Sequence, residues 1–188
     1  HDLTFFTNEP GATLLDRFRR LLRTTQCLEV IVGYFRVSGF HLLCDALADT
    51  EKMRVLVGIR TGRTEIEMID AFRNQGAFDF ASHCRVRKTV RDAVTGEVAN
   101  ADDELRVERG LRAFVRMLEE GRLEVDAYPP ADLHAKVYIL RHDTATPAVS
   151  DYGRVIAGSS NFSANGLVAQ REFNVELKAR TAVDYALA

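Results

Sequence analysis

The sequence predicts an α/β fold: a mixed, mainly parallel β-sheet flanked by helices on both faces. Two observations lead there. Runs of strand length that are almost wholly apolar, LEVIVGYF at 28–35 and MRVLVGI at 53–59, alternate with helical patterns in the order α-β-α-β-α. Strands with no polar side are covered on both faces, which favours parallel neighbours linked by helices. The last part of the chain then turns strand-rich, with strands expected over 122–127, 133–141, 153–159 and 172–179.

Each helix carries its own signal. Over 12–23, Leu14, Leu15, Phe18, Leu21 and Leu22 recur at helical spacing, while Arg17, Arg19, Arg20 and Arg23 take the other faces. Ser38 and Gly39 mark the entry to a helix over 39–48. Further helices are expected over 64–75, closing at Gly76, and over 82–94. The longest runs over 103–120, with Leu111, Phe114, Val115 and Leu118 on one stripe and Gly121 as its stop.

With 188 residues and no repeat, low-complexity tract or interdomain linker, residues 1–188 read as one domain. Hydrophobic content of 46% and charged content of 28% are those of a soluble globular protein. The net charge is −2 and the pI about 6.2, so no overall basic field exists and any nucleic acid is bound through a local patch. Arg85, Arg87, Lys88 and Arg91 form the densest basic cluster, either a solvated helix face or a contact to a phosphate backbone. Three scattered cysteines, Cys27, Cys44 and Cys84, suit a reduced cytoplasmic protein whose thiols pack as small apolar groups. No apolar stretch approaches the length of a membrane span and no signal-peptide pattern opens the chain, so no membrane partner is expected.

The residues that carry chemistry lie late in the chain. In LHAKVYILR (133–141), His134 and Lys136 share one face of a strand, and Leu133, Ala135, Val137 and Ile139 take the other. In GRVIAGSSN (153–161), Ser159 and Asn161 repeat that parity. The short, polar connection between these strands suits antiparallel neighbours, which would bring the four groups to one patch. Glu172 opens the last strand, opposite in parity to Phe173, Val175 and Leu177, and within reach of the same patch.

An imidazole can attack phosphorus when a carboxylate holds its other nitrogen. An ammonium and a carboxamide can bind the phosphoryl oxygens and stabilise charge in the transition state. The set suits phosphoryl transfer through a phosphohistidine, with no metal ion and no cofactor. Taken singly, H-x-K is most often a solvated strand face and G-S-S-N most often a turn. Their order, parity and placement on consecutive strands make the coincidence much rarer.

H134-A-K136 followed by G158-S-S-N161 resembles the H-x-K…G-S-x-N signature of the phospholipase D superfamily. Glu172, eleven residues after Asn161, falls where single-motif bacterial nucleases of that superfamily carry a glutamate that orients the histidine. The resemblance implies His134 as nucleophile, Lys136 and Asn161 as phosphate ligands, Ser159 as support for the phosphate site and Glu172 as the partner of the imidazole. Two departures stand out. Arg141 occupies the position of the family's usual Asp, with Asp143 close by, and the segment between Lys136 and Ser159 is about ten residues longer than in compact members, an extension loops tolerate.

FFTNEPGATLLDRF (5–18), VGYFRVSGF (32–40) and VLVGI (55–59) resemble the phospholipase D-like domain at the N-terminus of bacterial Swi/Snf-type and DEAD-box-type helicases. That likeness implies a helicase motor downstream in the same chain and a nucleic-acid substrate, DNA ahead of RNA. The superfamily's mechanism uses two histidines, and this chain has one H-x-K. His41 and His83 lack companion residues, and so does His142, expected in a loop at the strand's end. A homodimer sharing one active site across a twofold axis would supply the second His134. The rival reading is a catalytically inactive DNA-binding or dimerisation module of a helicase. GIRTGRT (58–64) is one residue short of a phosphate-binding loop and has Arg for its Lys, and His41 with Cys44 is only half a zinc site.

Overall fold

The computed structural model describes residues 3–33, 35–58, 101–127, 133–142 and 152–187. The helices expected over 64–75 and 82–94, the Arg85–Arg91 cluster and most of GIRTGRT lie outside the described residues. Within them, β1 (Leu3–Thr7) is followed by α1 (Leu14–Leu21) with a 3-10 turn (Leu22–Thr24), β2 (Thr25–Val32), α2 (Val37–Leu43) and β3 (Lys52–Val57). Then come α3 (Ala101–Glu119), β4 (Leu123–Ala127), β5 (Lys136–His142), β6 (Gly153–Gly158), a π-helical turn (Asn165–Ala169), β7 (Phe173–Leu177) and α4 (Arg180–Leu187).

The described strands form one seven-stranded sheet in the order β1-β7-β6-β5-β2-β3-β4. It is mixed, as expected, but mainly antiparallel instead of mainly parallel: among the described pairings two are parallel and four antiparallel, because the strand-rich last part of the chain and β1 all add on antiparallel. β2, β3 and β4 run parallel, with α2 and α3 lying between them in sequence as parallel crossovers require. β5, β6, β7 and β1 add on antiparallel, β5 against β2. Helices cover both faces, also as expected. The larger core packs Leu28, Val30, Val55, Tyr138 and Ile156 beneath α1, α2 and α3. A smaller one joins Ile139 and Val155 to Val183 of α4.

Local chemistry accounts for the ends. Thr13 caps α1 by accepting from the Asp16 amide at 3.1 Å, and the Asp16 carboxylate returns to the Thr13 amide at 3.2 Å. The Thr13 hydroxyl also donates to Asp16 Oδ2 at 2.7 Å, and this bond above all, with that from the Thr13 amide, holds the Asp16 carboxyl below the ordinary carboxylate range. At the end of α3, Gly121 adopts φ +67° while Arg122 N donates to Met117 O at 2.8 Å and Gly121 N to Leu118 O at 3.0 Å, a Schellman closure. The stripe Leu111, Phe114, Val115 and Leu118 is buried as its spacing predicts.

Several features depart from the sequence reading: the π-helical turn over Asn165–Ala169 was not expected, and the strand expected over 133–141 begins at Lys136, so His134 lies just before β5 and not on its face. β1 and α4 were not foreseen, and His142 is the buried last residue of β5 rather than part of a loop. It falls on the same face as Tyr138 and Leu140, so the strand's inward parity carries it into the interior.

Candidate active site

β2, β3 and β6 end, and β5 and β7 begin, at one edge of the sheet. Two glycines let the chain in there. A Cβ on Gly33 would lie 2.6 Å from the Leu133 carbonyl oxygen and 3.3 Å from His134 Cα, and one on Gly58 would lie 2.8 Å from the same oxygen. Gly33 N donates to Ala135 O at 2.9 Å, so residues 133–135 lie directly against the ends of β2 and β3. Any larger residue at 33 would push His134 away from the sheet end.

His134 is exposed, whereas Lys136 is buried at 9%. The Lys136 ammonium lies 3.2 Å from His134 Nδ1 and 3.5 Å from Nε2, and donates to the His134 carbonyl at 3.1 Å. β5 and β6 pair as far as Val137 with Ala157, and directly opposite residues share a face, so the parity of Ser159 is that of Ala157 and Val137 and not, as the sequence led us to expect, that of Lys136. Ser159 Oγ donates to Glu172 Oε2 and accepts from Phe173 N at 3.0 Å, while Ser159 N donates to Phe173 O at 3.0 Å. Two pairs are therefore brought together, His134 with Lys136 and Ser159 with Glu172. Among the described residues, no hydrogen bond joins Glu172 to the His134 imidazole.

Asn161 is half-buried, and its Oδ1 is enclosed without a hydrogen-bond partner among the described residues. Its backbone is clamped by the next turn: Ser163 N donates to Asn161 O at 2.9 Å, and a Cβ on Gly166 would meet that oxygen at 2.3 Å. The buried Asn8 carboxamide anchors the turn, donating to Gly166 O at 2.7 Å and accepting from Leu14 N at 2.8 Å.

Sequence reasoning missed the groups that hold the GSSN segment. Ser160 is fully buried, its carbonyl accepting from the Tyr138 hydroxyl at 2.8 Å and its Oγ accepting from Asn174 Nδ2 at 2.9 Å. Burial, and secondarily the Glu172 charge, push the Tyr138 phenol far above its ordinary range, so it remains a donor. Phe162 stacks on Phe35 with ring centres 5.1 Å apart. Asn174 shares its parity with Glu172, the one signal that could have found it. Gly158 is required by crowding rather than by turn geometry, since a Cβ there would meet Phe173 O at 2.3 Å and Asn174 Oδ1 at 2.4 Å.

Arg141, at the family's Asp position, lies far along β5 from this edge. Its guanidinium reaches Glu29 at 3.1 Å and Cys27 Sγ at 3.0 Å. Glu29 also pairs with Arg54 at 3.0 Å, and Arg54 with Glu124 at 3.3 Å, so charges alternate across β5, β2, β3 and β4. Among the described residues, no group of three or more His, Cys, Asp or Glu side chains is arranged to hold a metal ion. No described helix is long and apolar enough to cross a membrane.

A mixed seven-stranded sheet with helices on both faces, and with H-x-K and G-S-x-N segments meeting at one sheet end, is the architecture of a phospholipase D-like α/β domain. The family model described as cardiolipin synthase, PLD-like domain, matches residues 18–187, and the chain belongs to that family. No curated protein sequence matches it. Among solved structures, yeast tyrosyl-DNA phosphodiesterase superposes with a TM-score of 0.50 at 11% identity, covering 93% of this chain and 31% of that one. The polyphosphate kinase of Porphyromonas gingivalis superposes with a TM-score of 0.50 at 15% identity, over 98% of this chain and 25% of that one. Nuc of Salmonella typhimurium, a phospholipase D family member, gives a TM-score of 0.49 at 13% identity, over 98% and 88%. The chain thus spans about a third or less of the length of the first two, and shares their fold.

Proposed function

We propose that this chain is a phosphodiesterase domain that cleaves nucleic acid through a phosphohistidine, without a metal ion, as a homodimer and in company with a helicase motor. A ring nitrogen of His134 attacks the diester phosphorus, and the bond from phosphorus to the leaving oxygen breaks. The leaving oxygen takes its proton from the second His134, contributed by a partner copy. Water then attacks the phosphohistidine, giving its proton back to that second imidazole and freeing His134. Lys136 and Asn161 bind the phosphoryl oxygens throughout, Ser159 supports them, and Glu172 orients the imidazole.

The single observation that carries this reading is the arrangement at the sheet end. An exposed imidazole touches a buried ammonium, and a Ser159–Glu172 pair stands at the same end of the sheet, where β6 ends and β7 begins. A buried ammonium kept beside an exposed imidazole suits an anionic substrate better than a packing role does. The likeness of residues 5–18, 32–40 and 55–59 to helicase-linked domains favours nucleic acid over lipid, as does a fold shared with a DNA phosphodiesterase. One observation favours the rival, a module that grips DNA or dimerises without cutting: Glu172 is held by Ser159 instead of by His134. Catalytic hydrogen bonds often tighten only when substrate binds, which keeps the enzyme reading first.

The test is cleavage of end-labelled single- and double-stranded DNA in excess EDTA, with His134→Ala alongside. Cleavage that survives chelation and disappears in the variant is the expected outcome, with a loss of at least about 10³-fold. DNA binding by both proteins with cleavage by neither would establish the binding module instead. Cleavage that requires a divalent ion would overturn the metal-free mechanism.

A further inference from the structure

One surface feature has no part in the chemistry above. Phe5 and Phe173 are 59% and 57% exposed and lie stacked on each other, ring centres 5.6 Å apart and 27° from coplanar. They stand on the outward face of the sheet's outermost strand pair, β1 with β7, where Thr7 faces Phe173 and Phe5 faces Val175. α4 packs over β5, β6 and the Leu177 end of β7, and leaves the Phe173 end bare. That bare end is the site end. Phe173 O accepts from Ser159 N, Phe173 N donates to Ser159 Oγ, and Phe173 directly follows Glu172.

A cross-strand aromatic pair can serve only to stabilise a sheet edge, but then its faces are normally covered. Here two stacked rings stay open to solvent beside a candidate phosphate site. The chain is also slightly acidic, with a net charge of −2, so general attraction to phosphates contributes little to affinity. Contacts to bases would have to make up the difference, and exposed aromatic rings supply them for unpaired bases of any sequence. Resting on the nucleic-acid reading of the site, we propose that Phe5 and Phe173 form a stacking platform for the bases of a single strand. The platform holds one flank of the strand while the adjoining phosphodiester lies across His134 and Lys136. Duplex ends, whose bases are already stacked and paired, would gain little from it.

The experiment is fluorescence anisotropy with the full chain in a His134→Ala background, so that bound strands remain intact. The probes are an oligothymidylate and an abasic phosphodiester of equal length at one fixed salt concentration. Phe5→Leu and Phe173→Leu keep apolar bulk and remove the flat face, and Phe5→Tyr and Phe173→Tyr restore it. Each leucine variant is expected to weaken oligothymidylate binding roughly tenfold and to leave abasic binding unchanged, while the tyrosine variants bind like the parent. Equal losses on both probes, or no loss on either, would overturn the platform. So would leucine variants that convert a dimer to a monomer in light scattering, which would make the patch a subunit interface. If the parent binds neither probe, the nucleic-acid reading fails and the platform with it. Firm binding indifferent to Phe5 and Phe173 removes the platform alone.

Discussion

Ser159 and Ser160 are indistinguishable in sequence and have opposite surroundings. One is exposed and bonded to Glu172, and the other is fully buried between Tyr138 and Asn174. Ser160→Ala would leave the buried Asn174 amide without its acceptor, so a loss of about 1–3 kcal/mol in urea unfolding is expected. Gly158 is the more sensitive neighbour, because its missing side chain is the space that Phe173 O and Asn174 Oδ1 occupy. Gly158→Ala should cost about 1–3 kcal/mol in the same measurement, by displacing well-packed atoms. It should also reduce cleavage by more than the lost folded fraction explains, since Ser159 moves with β6. The glycine was legible as part of a motif. Its steric reason was not, because the crowding atoms come from a strand fifteen residues on.

At the level of elements, amphipathic spacing proved a reliable guide. α1 and α3 bury the residues their periodicity singles out, except Leu21, which is half-buried, and Gly121 closes α3 in the left-handed conformation that a helix stop favours. Gly121→Ala puts a side chain at φ +67° and should lower stability by about 1 kcal/mol, read as a shift in the urea midpoint with an unchanged slope. β1 was missed for a physical reason: LTFFT buries only Phe6 and turns Leu3 and Phe5 outward, so it lacks the continuous apolar run of β2. The sequence set Arg17 only on one of the other faces of α1, with no partner foreseen. It pairs with the buried Glu176, which also takes Arg154 at 2.9 Å, and it lies over the Phe6 ring at 4.2 Å. On β5, Arg141→Asp would restore the family residue but set a second carboxylate against Glu29 in place of a cation. A loss of about 1 kcal/mol, roughly 2–4 °C in Tm, is expected from differential scanning calorimetry.

For the whole molecule, pH should act through His142. Burial, followed by the Arg154 charge, holds its pKa below the ordinary 6.5. Below 6.5 the unfolded chain takes up a proton that the folded chain resists, so stability falls as pH drops from 6.5 toward the lower folded value and is constant above it. His142→Asn should flatten that slope below pH 6.5, measured as unfolding free energy at each pH. Assembly offers a separate test of the proposed shared site. Activity per chain should fall on dilution through the concentration at which light scattering reports dissociation. Full activity of a strict monomer would refute a site built from two copies.

The sequence by itself determined the class of fold and the identity of the chemical groups. Apolar strand runs, helical stripes and the parity of His134, Lys136, Ser159 and Asn161 are local properties, set by side-chain spacing along a regular backbone. Only the tertiary structure decided where those groups go. It gave Glu172 to Ser159, buried Ser160 under Tyr138 and Asn174, and left Phe5 and Phe173 bare beside them. The reason is that each of those facts depends on pairs far apart in the chain, whose meeting is fixed by sheet register and close packing rather than by any one segment.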